Sequence, residues 1–97
     1  MKFVQIIEYT TSKPEEAQKA LDTYLAASAG KRLNTNGLTV SDRDRPNTYL
    51  NIVEFPSYDA ATKNSELPET KTLAEAMMKI CDGPPNFRNL DVMFESS

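Results

Sequence analysis

The chain has 97 residues, with 11 basic and 14 acidic side chains, a net charge of −3, one cysteine, and neither histidine nor tryptophan. This length predicts a single domain over residues 1–97, and the charges are interspersed without the basic stripe that nucleic acid requires. One cysteine excludes an internal disulfide framework, and the lack of histidine removes the commonest general base and metal ligand.

No segment of the sequence has the pattern of a targeting signal or of a membrane span. The start, MKFV, has one lysine followed by a strand-like pattern that includes Gln5 and Glu8. No apolar run approaches transmembrane length. We therefore expect a cytoplasmic location and no membrane partner.

The first half of the chain is predicted to form a strand, a helix and a second strand. Residues 2–10 alternate on two faces and are rich in β-branched and aromatic residues, which predicts a strand. Ser12 is the predicted cap of a helix with Pro14 in its first turn, and Gly30 is its predicted stop. A polar turn then leads to a short strand from Leu38 to Ser41.

The second half is predicted to form a strand, a broken helix and a last strand. The charged residues 42–47 predict a solvated loop, and the alternation from Thr48 to Phe55 predicts a strand. Ser57 is the predicted cap of a helix that Pro68 interrupts, so that one or two turns precede a break and a longer helix. The last strand is predicted from Leu90 to Glu95.

The βαββαβ order predicts a ferredoxin-like α+β fold, in which two helices lie on one face of an antiparallel sheet. Two helices cover only one face of four short strands, so the other face needs a cover. A second copy of the chain is the simplest cover, and we therefore expect a homodimer.

Alternation divides the strand residues into two sets. One set is mainly apolar and comprises Val4, Ile6, Leu50, Ile52, Leu90, Val92 and Phe94. The mixed set comprises Phe3, Gln5, Ile7, Tyr9, Tyr49, Asn51, Val53, Phe55, Asn89, Asp91 and Met93. The mixed set suits the wall of a ligand pocket, which is mostly apolar with a few directed polar groups. It equally suits a dimer seam in which the amides satisfy one another, because alternation alone cannot tell the faces apart.

One stretch of the sequence resembles a known family. Residues 45–61 read RPNTYLNIVEFPSYDAA, which resembles the third strand and helix start of antibiotic biosynthesis monooxygenase-like domains. Those domains usually show a strand that ends in Glu-Trp, then a serine-containing helix start with an acidic-Ala pair. Residues 65–70, SELPET, lie where the family often has a His-rich, Ser-Pro break. The resemblance implies a ferredoxin-like domain that pairs as a dimeric α+β barrel.

Activities within that superfamily differ in the residues that they use. Its haem-degrading members use an Asn, a Trp and a His, and an approximate alignment places Ile7, Asn64 and Ala74 at those positions. All three residues differ, so haem degradation is not expected. The cofactor-free, quinone-forming monooxygenases of aromatic polyketide pathways resemble the chain more. They carry an Asn on the broken second helix, which Asn64 resembles, and some show a Gly-Pro-Pro stretch like residues 83–85. They also use a Trp near that Asn, which this chain lacks.

Three residues are candidates for catalysis. The amide of Asn64 is suited to hold a phenolate or enolate oxygen of a substrate, and the alternatives are a helix cap or an exposed polar residue. Tyr9 is a candidate phenol donor, with ordinary core packing as the alternative. Asp91 is the only acid of the mixed set and is therefore the candidate base.

Five further residues are candidates for binding a small aromatic or polyketide-like ligand. They are Tyr24, Tyr49, Asn51, Met77 and Arg88. We expect the tyrosines to converge between sheet and helices, and a pocket lined by Asn64, Tyr9, Tyr24 and Met77. Arg88 is suited to clamp an anionic group, or else pairs with a surface carboxylate.

The sequence contains no recognisable metal or cofactor motif. The acids are scattered, Cys81 lies on an apolar helical stripe without a partner, and only three glycines are present, so no phosphate loop is expected. The resemblance implies a monooxygenase that acts on a phenolic or polyketide-like molecule, and in the absence of these motifs we expect it to work without cofactors. A cyclase or isomerase with the same pocket, and a non-catalytic ligand-binding or structural dimer, are the alternatives.

Overall fold

The structure, a computed structural model, describes residues 1–96. Its elements are β1 (Phe3–Thr10), α1 (Pro14–Ala27), β2 (Asn36–Ser41), β3 (Thr48–Phe55), α2 (Tyr58–Ser65), α3 (Pro68–Ile80) and β4 (Asn86–Asp91). The strands form one antiparallel sheet in the order β2-β3-β1-β4. The predicted ferredoxin-like α+β fold is confirmed, with the second helix divided into α2 and α3 by the predicted break before Pro68.

The mixed face of the sheet meets the helices. Phe3 and Phe55 lie opposite each other in the β1–β3 ladder and are each 3% exposed, and they form the core with Ala61 of α2. Tyr58 packs edge-on against Phe3, with ring centroids 5.3 Å apart. The ladder then places Gln5, Ile7 and Asn51 on this same face, because side chains two residues apart share a face.

The apolar face of the sheet carries no helix. Val4, Ile6, Leu50 and Ile52 are only half-buried there, and Leu38 and Leu90 at the two edges are exposed. None of the helices formed by residues 1–96 has the length and apolar character that a bilayer crossing needs.

Thr11 joins the end of β1 to two distant segments. Its side chain is fully buried, its hydroxyl donates to the Ile80 carbonyl at 2.9 Å, and the same oxygen accepts from the Lys13 amide at 3.0 Å. Its own amide donates to the Asn47 carbonyl at 2.9 Å. The prediction that Ser12 caps α1 is wrong. Thr11 accepts the bond from the Lys13 amide ahead of α1, and Ser12 is exposed.

The last strand begins and ends four residues earlier than predicted. It is antiparallel to β1, with Glu8 opposite Asn86 and Phe3 opposite Asp91. Because β1 begins at Phe3, it offers no ladder partners for the predicted residues 92–95. Beyond the ladder, the Val92 amide donates to the Lys2 carbonyl at 3.0 Å, and the Lys2 ammonium donates to the Glu95 carboxylate at 3.0 Å. Pairing with β1 therefore shifted the bounds of this strand, while Leu90 and Asp91 kept the faces that alternation predicted.

Residues 28–35 form the connecting loop between α1 and β2. The helix ends at Ala27, and the left-handed φ of +80° at Gly30 turns the chain, so that Gly30 lies in the loop and not at the helix end. At its far end the Thr35 amide donates to the Glu54 carbonyl at 2.8 Å, which extends the pairing with β3 so that β2 already begins at Asn36.

Thr11→Val should lower the free energy of unfolding by about 1–3 kcal/mol, because the isosteric side chain leaves the Ile80 carbonyl and the Lys13 amide without their partner in a part-buried place. Urea unfolding measures this loss. Thr10→Val, an equal change at an exposed neighbour, is the control and should stay within about 0.5 kcal/mol of wild type. Equal stability of the two variants would contradict the role of Thr11.

Candidate functional site

A cavity of about 570 Å³ lies between the mixed face of the sheet and the helices. It is lined by Gln5, Ile7, Leu21, Tyr24, Leu25, Gly30, Arg32, Asn34, Thr35, Gly37, Leu38, Thr39, Asn51, Val53, Phe55, Asn64, Thr70 and Leu73. Its volume falls within the range of small-molecule sites, and its lining combines apolar side chains with amides and hydroxyls. We call it the main cavity.

Asn64, near the end of α2, is the most buried polar group of the main cavity, at 7% exposure. Its Oδ1 accepts from the Leu33 amide at 3.0 Å, and its Nδ2 donates to the Tyr24 hydroxyl at 3.4 Å. A backbone N–H is only a donor, so the bond to Leu33 fixes which end of the carboxamide faces Tyr24. The sequence alternatives of an exposed residue or a side-chain helix cap are therefore wrong.

Tyr24 of α1 receives hydrogen bonds from two helices. Asn64 donates to its hydroxyl from α2, and the Thr70 hydroxyl donates from α3, each at 3.4 Å. In this arrangement the phenolic oxygen is the acceptor of both bonds, so its own O–H remains available to a ligand. Both contacts are long, which leaves room for a ligand oxygen to compete for these groups.

The sheet wall of the main cavity carries two engaged amides. Thr39 of β2 donates to Oδ1 of Asn51 at 2.8 Å, and the two residues lie opposite each other in the ladder. Gln5 donates to Oδ1 of Asn89 at 3.1 Å. The bond from Thr39 leaves the Asn51 N–H groups without a partner among residues 1–96, so they are donors that a ligand can use.

The connecting loop closes one side of the main cavity and is held by an ion pair. Lys31 contacts the Glu69 carboxylate of α3 at 2.9 Å. The hydrogen bond from Lys31, followed by one from the Glu69 backbone amide, lowers the pKa of this carboxyl below its usual value. The next residue, Arg32, is half-buried and lines the cavity.

A smaller cavity of about 270 Å³ lies beside the main one and shares Leu21 and Thr39 with it. Tyr9 and Tyr49 line it, with their rings stacked at 5.8 Å. Burial, and then the nearby Cys81 and Tyr49, raise the pKa of Tyr9.

The structure brings together some of the predicted site residues and separates others. Tyr24, Asn51 and Asn64 line the main cavity, as predicted for a shared pocket. Tyr9 and Tyr49 line the smaller cavity, so the predicted convergence of all the tyrosines is wrong. Leu21 of α1 lines both cavities, one with Tyr24 and the other with the Tyr9–Tyr49 pair.

Three predicted site residues border neither cavity. Met77 lies one turn beyond Leu73, the last α3 residue of the lining, so its predicted place in the pocket wall is wrong. Arg88 pairs with Ile6 and therefore lies on the apolar face, away from the helices. Asp91 pairs with Phe3 on the edge strand β4, which contributes nothing to the lining.

Sequence reasoning missed Arg32 and Asn34 as site residues. Both lie in the connecting loop, and the position of Arg32 just after a helix is one where a cation is favoured without any role in a site. The signal in the sequence was residues 31–34, KRLN, which combine basic and amide side chains between a helix and a strand that border the same face of the sheet. Within residues 1–96, no three Cys, Asp or Glu side chains come together as a metal ion requires.

The fold is similar to that of several solved structures. A candidate antibiotic biosynthesis monooxygenase from Caulobacter crescentus has a TM-score of 0.85 at 16% identity, over 96% of this chain and 91% of that one. A candidate from Nitrosomonas europaea has a TM-score of 0.83 at 13% identity, over 99% of this chain and 94% of that one.

A third structure comes from a protein with a stated activity. SnoaB, a cofactor-independent oxygenase from Streptomyces nogalater, has a TM-score of 0.82 at 17% identity, over 97% of this chain and 95% of that one. No protein-family model matches the sequence, and no curated protein matches it either. At these identities the likeness establishes the antibiotic biosynthesis monooxygenase-like fold that the sequence predicted, and the fold alone.

The raised pKa of Tyr9 predicts a loss of stability in alkali. The folded-state pKa of Tyr9 lies above the ordinary value of about 10. The neutral phenol therefore contributes its full stabilisation of the fold below about pH 10, and this contribution is lost as the pH rises through the folded-state pKa. Tyr9→Phe should lack that part of the decline. Urea unfolding of both proteins between about pH 8 and pH 11 measures it, and parallel profiles would contradict the prediction.

Proposed function

We propose that this chain is a cofactor-independent monooxygenase that oxidises a phenolic or polyketide-like aromatic molecule in the main cavity. The observation that carries the proposal is the cluster of Asn64, Tyr24 and Thr70 hydroxyl and amide groups at the wall of a ligand-sized cavity. The fold shared with SnoaB supports the same reaction class.

The reaction needs no electron source other than the substrate. An ionised phenol or enol is electron-rich enough to react with O₂ at carbon. One oxygen atom becomes a new carbonyl group, and the other leaves as water with the two hydrogens that the substrate loses. The substrate thus supplies all four electrons that reduce O₂, and the protein supplies binding, orientation and stabilisation of the oxyanion.

Asn64 and Tyr24 are the proposed donors to the substrate oxyanion. Asn64 has a second N–H beyond the one that Tyr24 accepts, and the Tyr24 O–H is free in the arrangement described above. Both groups are held in place before the substrate enters, so they need little reorganisation as negative charge develops.

The lining of the main cavity contains no carboxylate. Asp91, the base expected from the sequence, borders neither cavity, so proton removal is not assigned to it. We propose that the substrate is acidic enough to lose its proton when it binds to Asn64 and Tyr24, because hydrogen bonds from these donors favour its charged form.

A second candidate function is ligand binding without catalysis. The observation that favours it is the structural use of Asn64: its carbonyl oxygen is occupied by the connecting loop, and one of its N–H groups by Tyr24. With these bonds Asn64 has a structural role, and the cavity can bind a ligand without any catalytic use of Asn64. Oxygen consumption distinguishes the two functions.

Asn64→Asp should keep the fold and lower turnover about a hundredfold, because the carboxylate still accepts from Leu33 but no longer donates to the substrate oxyanion. Asn64→Ala should lower turnover as much and also reduce stability by about 1–3 kcal/mol, since the Leu33 amide then loses its partner. The measurements are O₂ uptake with anthrone-like and other dihydroxyaromatic compounds, and urea unfolding.

Asn47→Asp makes the same chemical change in an exposed loop, where its left-handed φ of +60° is one that Asp tolerates. It should keep wild-type turnover. Uptake at the spontaneous rate across the whole panel, or equal turnover by wild type and Asn64→Asp, would lead us to prefer the binding function.

We also propose that two copies pair through their apolar sheet faces as a dimeric α+β barrel. The four half-buried residues Val4, Ile6, Leu50 and Ile52 support this, because they lie at the centre of a face that no helix covers. Sheets that pack face to face bury such side chains between them. The main cavity lies on the other side of each sheet and stays open to ligand.

Ile52→Glu should convert the dimer to a folded monomer, because a carboxylate at the centre of the paired sheets would be buried without a partner. Sedimentation at micromolar concentration measures the state of association. Met78→Glu, an equal change at a position that is 75% exposed on α3, is the control and should remain a dimer. A monomeric wild type, or a dimeric Ile52→Glu, would contradict the proposal.

A further inference from the structure

We infer that the ligand of the main cavity is an aromatic acid, and that Arg32 binds its carboxylate. The inference specifies the substrate class and rests on the proposed function only for the aromatic character of the ligand. Its evidence is the charge of the lining, the unpaired state of Arg32 and the way in which the connecting loop is held.

Arg32 is the only residue of the main cavity lining with a formal charge. The chain as a whole carries a net charge of −3, so its overall field repels anions. Arg32 places a positive charge at the cavity wall that no second charge of the lining offsets. The cavity therefore favours a ligand that carries one negative charge.

The Arg32 side chain forms no ion pair and no side-chain hydrogen bond with any part of the chain that the structure describes. Arg45 is different, since it contacts Glu8 at 3.1 Å and Asp42 at 3.0 Å. Arg32 as a whole residue is half-buried, and an anion that enters beside its guanidinium supplies the partner that residues 1–96 do not. The planar fork of arginine matches the two oxygens of a carboxylate.

The backbone on both sides of Arg32 is fixed. Its own amide donates to the Ser28 carbonyl at 3.2 Å, and the next amide, of Leu33, donates to Asn64 at 3.0 Å. Lys31 before it is neutralised by Glu69 and does not line the cavity. The loop thus fixes the backbone from which Arg32 extends, next to the residue that bonds Asn64, and such preorganisation of the backbone favours binding.

The rest of the lining accommodates the ring system of such an acid. Apart from Leu38, whose side chain lies on the other face of the sheet opposite Ile52, six apolar residues contribute to it: Ile7, Leu21, Leu25, Val53, Phe55 and Leu73. The free N–H groups of Asn51 and the O–H of Tyr24 are donors for further oxygens of the ligand. An apolar body with oxygen acceptors and one carboxylate satisfies all of these groups together.

The test compares a dihydroxyanthraquinone carboxylic acid with its own methyl ester, by titration calorimetry at low ionic strength. Wild type should bind the acid at least about tenfold more tightly than the ester, because hydrogen bonds to charged groups are worth about 1.5–3 kcal/mol. Arg32→Gln should lose about 10- to 100-fold in affinity for the acid and nothing for the ester. Arg32→Lys, which keeps the charge without the fork, should lose less.

Arg43→Gln is the matched control, since Arg43 is exposed in the loop before β3 and borders neither cavity. It should bind acid and ester like wild type. Equal affinity of wild type for the two compounds, equal losses in both glutamine variants, or no binding of the acid up to millimolar concentration would each overturn the inference. Urea unfolding of Arg32→Gln checks that its fold is unchanged.

Failure of this inference and failure of the proposed function give different results. If Arg32 has no part in binding, O₂ uptake with neutral dihydroxyaromatic substrates still proceeds and still depends on Asn64. If the protein is not an oxygenase, uptake is absent with every substrate, while the difference between acid and ester persists in the binding measurement.

Discussion

The carboxamide of Asn64 ties together three segments of the chain that are far apart in sequence. Its oxygen holds the connecting loop through the Leu33 amide, and its nitrogen holds α1 through the Tyr24 hydroxyl, while the residue itself belongs to α2. Because the group is almost fully buried, each of these bonds would be costly to leave unmade. The α1, α2 and loop walls of the main cavity are therefore joined by one polar side chain.

The break between α2 and α3 is what allows two helical residues to reach Tyr24. In an unbroken helix Asn64 and Thr70 would be six residues apart, about 240° around the axis, and would face different directions. Proline at the first position of α3 cannot continue the ladder of α2, so the chain restarts its helix there with a new axis. Both residues then contact the same hydroxyl at 3.4 Å.

The two faces of the sheet have separate tasks in the proposed assembly. The face with aromatic and amide side chains meets the helices over Phe3 and Phe55 and is left open over Gln5 and Asn51, where the main cavity lies. The other face is apolar and uncovered, so the proposed pairing of two copies would close it without obstructing the cavity. This division follows from strand alternation, which keeps the two sets of side chains apart.

The sequence by itself determined the element order, the strand β3, the break before Pro68 and the cap at Ser57. These depend on local periodicity, on proline geometry and on a hydrogen bond from the Ala60 amide three residues away. It also placed Asn64 near the break. Only the tertiary structure decided which sheet face meets the helices, where β4 pairs along β1, and that Arg32 borders the cavity while Met77 and Asp91 do not. These outcomes depend on contacts between residues distant in sequence, and alternation looks the same on both faces of a strand until another element packs against one of them.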